Sequence, residues 1–137
     1  MKNKILLAGL FCCSLISTEA QVLLDKNAGK NSFPIVSPSA NVVVCFDGKD
    51  ETVVRKSVSL FTDDVRRVTG QDLKAQASNP GEVSARYAII VGTAGKSAWI
   101  DALTAKKKID ITPIAGGWER YMIETVDNPA PGIKKAI

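Results

Sequence analysis

One glycine-rich loop carries the residue types of a phosphate-binding site. Residues 92–97 read Gly-Thr-Ala-Gly-Lys-Ser and stand between an apolar run and an amphipathic stretch, the setting in which a P-loop cradles phosphate groups. A P-loop has four residues between its glycines, whereas only Thr93 and Ala94 separate this pair. The spacing therefore favours a tight strand-to-helix turn. One alternative is a loop that contacts a ligand bound by a neighbouring domain, and the other is nucleotide binding. The substrate-binding candidates in the loop are Gly95, Lys96 and Ser97.

Two pairs of aspartates are close enough in sequence to suggest acid–base chemistry. Asp47 and Asp50 fall in a predicted turn and helix cap, and Asp63 and Asp64 fall on the polar side of a predicted helix. General acid–base catalysis needs one carboxyl whose pKa is raised by burial beside another that stays ionised. Neither setting predicts that asymmetry, so we assign no catalytic residue.

The sequence contains no histidine, which excludes Ser-His and Cys-His catalytic pairs and histidine metal sites. Cys45 lies within an apolar run and is predicted to be a small core residue rather than a catalytic thiolate. No metal or other cofactor is expected. The formal charge of +4 is spread along the chain and does not predict binding to nucleic acid.

The two tryptophans are candidates for stacking on sugar rings. Trp99 falls on the apolar side of a predicted helix, which favours a place in the core. Trp118 follows two glycines and is more open to a surface role. We expect packing for Trp118 as well, but keep it as the fourth substrate-binding candidate.

The first twenty residues have the pattern of a secretory signal peptide. Lys2 and Lys4 precede a short apolar stretch, and Thr18 and Ala20 suit cleavage before residue 21. A membrane anchor, one alternative, would need about 20 apolar residues. Lipidation at Cys12 or Cys13 is the other alternative. We therefore expect an exported chain, periplasmic or extracellular, without stable membrane association.

The remaining chain alternates predicted strands and helices. Residues 21–40 are a lead-in segment, and residues 41–137 form an α/β domain with two main helices on a mixed sheet. Strands are predicted at 41–46, 87–91 and 118–126, a turn at 128–132, and the opening of one more strand at 133–137. Because that last strand has little room, we expect the domain to be incomplete at its C-terminus and part of a longer protein.

The first helix is predicted between Asp50 as N-cap and Gly70 as the residue after its end. The second runs over residues 96–105. Asp63 and Arg67 are expected to pair one turn apart on the first helix. Its apolar stripe consists of Val54, Val58, Phe61, Val65 and Val68.

Five short motifs in a fixed order carry a resemblance to a known family. They are Phe-Pro-Ile at 33–35, Asn-Val-Val-Val at 41–44, Asp-Asp-Val-Arg-Arg-Val-Thr-Gly at 63–70, Ile-Ile-Val-Gly-Thr at 89–93 with Gly-Lys-Ser at 95–97, and Gly-Trp-Glu at 117–119. In this order the sequence resembles the N-terminal domain of glycoside hydrolase family 115, the bacterial xylan α-1,2-glucuronidases, over residues 33–137. The small N-terminal domains of glycosidase families 67 and 20 look similar.

The resemblance implies a secreted enzyme that removes glucuronic acid, or its 4-O-methyl form, from xylan. In family 115 the opening domain precedes a (β/α)₈ barrel that carries the catalytic acids, so no catalytic position can be carried over to this chain. The expected role is that of a noncatalytic accessory domain, with glucuronoxylan as partner through the barrel. The alternative is a free-standing secreted module that binds carbohydrate or a protein.

Overall fold

The computed structural model describes Gly29, residues 32–37 and residues 39–137. The predicted signal peptide, residues 1–20, lies outside the described residues, as does most of the lead-in segment. The elements in chain order are β1 (Val42–Phe46), α1 (Thr52–Thr69), β2 (Lys74–Ala77), β3 (Ala85–Val91), α2 (Ala98–Ala105), β4 (Val126–Ala130) and β5 (Ile133–Ala136).

The five strands form one mixed sheet in the order β2-β1-β3-β5-β4. Strand β1 pairs in parallel with β2 and β3, β3 pairs in parallel with β5, and only β4 is antiparallel to its neighbour. The prediction of an α/β fold with a mixed sheet and two helices is therefore confirmed. The chain leaves β1 for β2 on one side and then returns to β3 on the other, which makes the gap between the carboxyl ends of β1 and β3 a topological switch point.

Strand β1 is buried because it lies in the middle of the parallel part of the sheet. Val44 and Cys45 have no solvent exposure, and Val43 joins a core cluster with Cys45, Ala88 and Trp99. Burial on both faces is what the unbroken apolar run predicts for an interior parallel strand. The cluster places α2 against one face of β1 and β3.

Helix α1 differs from its prediction at the C-terminal end of its apolar stripe. Val54, Val58 and Val65 are buried and Phe61 is half-buried, but Val68 is 85% exposed. The 18 residues of α1 span about 27 Å, whereas five-residue β1 and four-residue β2 span roughly 13–17 Å. The last turn of α1 therefore extends beyond the sheet, and the predicted burial of Val68 is wrong.

The caps of α1 were predicted correctly at the C-terminus only. Gly70 takes a left-handed conformation with a φ of 69°, and its amide donates a 2.8 Å hydrogen bond to the Arg66 carbonyl. At the other end the N-cap position belongs to Glu51, so the assignment of Asp50 as N-cap is wrong. Asp50 instead accepts a hydrogen bond from the loop that follows β3.

The predicted ion pair on α1 also has different partners. Asp63 pairs with Arg66 at 3.3 Å, and Asp64 pairs with Arg67 at 3.4 Å. Both spacings are three residues rather than the expected four. All four side chains are exposed, so these pairs add little to stability.

The second half of the sheet corrects two sequence predictions. No strand covers residues 118–125; β4 begins at Val126 and occupies most of the predicted turn. A strand forms only where a neighbour pairs with its backbone, and β5 pairs with the chain from Val126 onward. Pro129 is tolerated because β4 is an edge strand. Strand β2 was missed because its sequence, Lys-Ala-Gln-Ala, has no large apolar residue. The strand expected at 133–137 is confirmed as β5.

In the part of the chain that the structure describes, no helix has the length and apolar character needed to cross a membrane.

Candidate functional site

The carboxyl ends of β1 and β3 are the natural place to look for a site, because ligands of open α/β sheets bind at such switch points. Two loops meet there. Residues 47–51 follow β1, and residues 92–97 follow β3. We call these two loops together the carboxyl-edge cluster.

Asp47 joins the end of β1 to the start of α2. One carboxylate oxygen, Oδ2, accepts a 2.9 Å hydrogen bond from the Ala98 amide, and Oδ1 accepts a 2.8 Å bond from the Lys49 amide. The bond from Ala98, followed by that from Lys49, lowers the pKa of Asp47. Ser97, at the N-cap position of α2, makes no capping bond with its side chain, so the carboxylate of Asp47 takes over that role.

Asp50 makes a second link between the same loops. Its Oδ2 atom accepts a 2.8 Å hydrogen bond from the Thr93 amide, and its Oδ1 atom accepts a 2.6 Å bond from the Glu51 amide. The side chain is buried. Asp50 therefore holds the loop after β3 against the loop after β1 instead of capping α1.

The candidate residues Gly95 and Lys96 are engaged within the domain. The Gly95 amide donates a 3.2 Å hydrogen bond to Asp101, and the Lys96 ammonium pairs with the Glu51 carboxylate. That pairing raises the pKa of Lys96. Both members of the ion pair are about half exposed, so a charged ligand can still compete for Lys96.

Ser97 and Gly92 are in direct contact inside the loop. Ser97 has no solvent exposure, and its Oγ atom has no hydrogen-bond partner among the described residues. A Cβ atom at Gly92 would overlap the Ser97 side chain and lie 2.9 Å from Ile100 Cγ1. Gly92 therefore serves the close approach of strand and helix, and Ser97 is a packing residue that cannot reach a ligand.

These contacts explain why the loop differs from a phosphate site. In a P-loop, free amides and the helix N-terminus receive the phosphate. Here the Thr93 and Ala98 amides already donate to aspartate carboxylates, and a phosphate would meet two like charges at close range. The geometry is that of the tight strand-to-helix turn expected from the spacing.

The same contacts bear on acid–base chemistry. A general acid at neutral pH needs a raised pKa, but the pKa of Asp47 is lowered. Burial raises the pKa of the Cys45 thiol to about 11, which keeps it protonated and inert; its predicted core position is confirmed. Within the described residues, no group of three or more Cys, Asp or Glu side chains is arranged to hold a metal ion.

The two tryptophans have opposite environments. Trp99 is 1% exposed, and its Nε1 atom donates a 2.7 Å hydrogen bond to the Ser78 carbonyl, which confirms its place in the core. Trp118 lies on the loop between α2 and β4 and is 88% exposed, so the expectation that it packs is wrong. Tyr121 on the same loop is 82% exposed. The sequence analysis missed Tyr121, although its spacing of three residues from Trp118 was visible.

The loop that carries these aromatic residues is held by its own contacts. The Arg120 guanidinium donates a 3.3 Å hydrogen bond to the Pro113 carbonyl, and the Gly117 amide donates a 3.2 Å bond to the Ile114 carbonyl. The Arg120 side chain lies against Gly117, and a side chain at that position would require Arg120 to move. Trp118 is thus presented to solvent from a braced turn.

A second feature that the sequence did not reveal is an apolar slot of about 480 Å³. One side is formed by residues 89–91 of β3 and by Gly92, which follows the strand. Residues 121–124 form the other side. Phe61 of α1 and Ile100 and Leu103 of α2 also line it. We call this feature the slot.

Comparison with known proteins gives no family: no protein-family model matches the chain, and no curated protein matches it.

Proposed function

We propose that this chain is the noncatalytic N-terminal α/β domain of a secreted glycoside hydrolase that removes (4-O-methyl)glucuronic acid from xylan. The resemblance to family 115 supports the enzyme class. Its motifs at 41–44 and 89–93 fall on β1 and β3, and the motif at 63–70 ends α1. In this proposal the parent protein is exported to the periplasm or the medium, and glucuronoxylan is bound through the barrel.

The observation that carries the noncatalytic part is the use of both buried aspartates as backbone acceptors. Asp47 and Asp50 are the buried carboxylates among the described residues, and each accepts two backbone amides. Both carboxylates therefore have a structural task, and for Asp47 the two bonds also lower the pKa. The general acid that glycoside hydrolysis requires is therefore expected outside this domain.

The carboxyl edge of the sheet is a place where the domain can border an active site. The loop of residues 92–97 stands at the carboxyl edge of the sheet, and its Lys96 side chain is partly exposed. A glucuronate carboxylate is an anion that Lys96 could attract in competition with Glu51. Of the original candidates, Lys96 and Trp118 remain accessible, Gly95 offers an amide already bonded to Asp101, and Ser97 is buried.

Release of 4-O-methylglucuronic acid from glucuronoxylan tests this proposal. We expect the parent enzyme to release the acid and the purified chain of residues 21–137 to release none above a heat-inactivated blank. In the parent, Asp47→Asn and Asp50→Asn should lower the unfolding temperature while the folded fraction keeps its turnover. Hydrolysis by the isolated chain, or complete loss of turnover in correctly folded Asp47→Asn parent, would overturn the proposal.

A second candidate function is favoured by the exposed aromatic pair. Trp118 and Tyr121 present apolar ring faces to solvent from a braced loop, and such faces suit the apolar faces of pyranose rings. A free-standing secreted module that binds xylan would use these two residues.

Tryptophan fluorescence distinguishes this candidate, because Trp99 is buried and Trp118 is exposed. If the module binds xylan, xylohexaose should change the emission and iodide quenching of Trp118 only, and Trp118→Ala should abolish binding. Leu60→Ala is the matched control, since Leu60 is an exposed apolar residue on α1. A folded sample that shows no response to xylohexaose would discard the candidate.

A further inference from the structure

The slot lies in line with β5. Strand β5 sits between β3 and β4, parallel to the first and antiparallel to the second. It ends at Ala136, whereas β3 continues to Val91. Beyond β5 the two sides of the slot are residues 89–92, which follow the line of β3, and residues 121–124, which precede β4. The space between them is where another stretch of strand would lie.

The backbone ladder is open at this point. The Ile137 amide donates a 3.1 Å hydrogen bond to the Ala88 carbonyl, and the Ile90 amide donates a 2.8 Å bond to the Ile137 carbonyl. In a parallel ladder the next groups on this edge of β3 are the Ile90 carbonyl and the Gly92 amide. Among residues 39–137 the Gly92 amide donates to no acceptor. A backbone continuing past Ile137 in the same direction would meet both groups.

The side chains around the slot define what it can hold. Alternation along β3 sends Ile89 and Ile90 to opposite faces of the sheet. Phe61 lines the slot from α1, and Ile100 lines it from α2. Apolar groups therefore lie on both faces of the sheet at this point. An interior strand covered on both faces is aliphatic and β-branched along its length. A polar or strongly twisted segment would leave the apolar lining exposed.

We propose that the slot holds a strand that continues β5 directly beyond Ile137, supplied by the polypeptide that follows this domain in its parent protein. The proposal rests on the proposed function only in taking this chain as a domain of a longer one. The continuing residues would pair with Ile90 to Gly92 on one side. On the other side they would pair with residues 122–124, in the antiparallel register that Val126 and Ala136 already set.

The same strand accounts for the sequence pattern of residues 118–126. Their alternation predicted a strand, yet residues 118–125 form none. With a strand in the slot, residues 121–125 gain the antiparallel neighbour that β4 has in β5. Tyr121 and Ile123, which are exposed without it, then lie against an aliphatic strand.

A tail appended after Ile137 tests the proposal in the chain itself. We compare no tail, a Val-Ile-Val-Ile tail and a Gly-Ser-Gly-Ser tail of equal length. The aliphatic tail should raise the thermal midpoint by about 5 °C and slow hydrogen exchange of the Gly92 amide at least about tenfold. The Gly-Ser tail should do neither. Ile123→Lys should cancel the gain, and because Ile123 is exposed in the chain without a tail, this variant should still fold.

Equal behaviour of the two tails, or an aliphatic gain that survives Ile123→Lys, would overturn the proposal. The occupant's source is tested by the gene: an in-frame stop after the Ile137 codon, or polar residues or proline at the next three positions, would overturn it as well. These readouts do not depend on sugar chemistry. A parent protein with an aliphatic continuation but no activity on glucuronoxylan would refute the proposed function and leave this inference standing.

Discussion

The Asp47 carboxylate and the Ala98 amide are joined by a 2.9 Å hydrogen bond across 51 residues of sequence. The bond gives the N-terminus of α2 a negative charge that its own N-cap residue, Ser97, does not supply. It also places that charge where a P-loop would hold phosphate. One contact thus explains both the stability of the turn and its unsuitability for nucleotide.

Asp47→Asn should destabilise the domain at neutral pH and make its free energy of unfolding less dependent on pH in the acid range. The folded-state pKa of Asp47 lies below its ordinary value of 3.8, so its stabilising effect is present above pH 4 and is lost as the pH falls through the lowered value. Urea unfolding measured from pH 7 to pH 2 should show the variant below the wild type at pH 7, with the two curves converging at low pH. Asp64→Asn, on the exposed side of α1, is the control and should run parallel to the wild type. A constant difference between Asp47→Asn and the wild type at every pH would contradict this role.

Gly92→Ala should cost roughly 1–3 kcal/mol or more through overpacking. The added methyl group would overlap Ser97 and approach Ile100 to 2.9 Å. Gly48→Ala is the control, because a Cβ there meets only Ala77 at 3.6 Å, an ordinary contact. Chemical denaturation of both variants measures the difference. Equal stabilities would show that β3 and α2 do not approach as closely as described.

Ser97→Ala should leave stability unchanged or raise it by up to about 1 kcal/mol. The Ser97 hydroxyl is buried and has no partner among the described residues. Its burial without a hydrogen bond costs free energy of folding, and Ser97→Ala removes that cost while it keeps the packing of the Cβ atom. Thr104→Ala is a useful comparison, because the Thr104 hydroxyl donates a 2.9 Å bond to the Ile100 carbonyl. A loss above about 1 kcal/mol for Ser97→Ala would mean that the hydroxyl has a partner in solution.

Trp99→Phe should destabilise the core, and Trp118→Phe should not. The first change removes the donor for the Ser78 carbonyl and leaves a void, with an expected cost of about 2–4 kcal/mol. The second alters an exposed side chain and should stay within about 0.5 kcal/mol. Urea midpoints of the two single variants give the comparison directly. Similar losses for both would indicate that the loop carrying Trp118 packs on the domain.

The parts of the fold that the sequence predicted are those specified by nearby residues. The apolar run of β1 and the glycine at the end of α1 act through local patterning and backbone geometry. Trp99 was placed correctly because the helical period fixes its side. Each of these signals is contained in a short, continuous stretch of the sequence.

What the sequence did not predict depends on residues far apart in the chain. Asp47 and Asp50 read as a turn and a cap, but their partners Ala98 and Thr93 come from the other loop. Most of β4 was predicted as a turn because Asn128 and Pro129 favour turns, whereas its pairing with β5 is not visible in the local sequence. Residues 118–125, before β4, have the alternation of a strand, but they can form one only if a neighbouring strand occupies the slot. Tertiary pairing decides these cases.

The in-frame coding sequence after the Ile137 codon tests the central claim most directly. If this chain is the opening domain of a glycoside hydrolase, the frame should continue through a short aliphatic stretch into alternating strand and helix patterns of barrel size, with carboxylates at the strand ends. A stop codon at that position in an intact gene, or a continuation with no such alternation, would contradict the account.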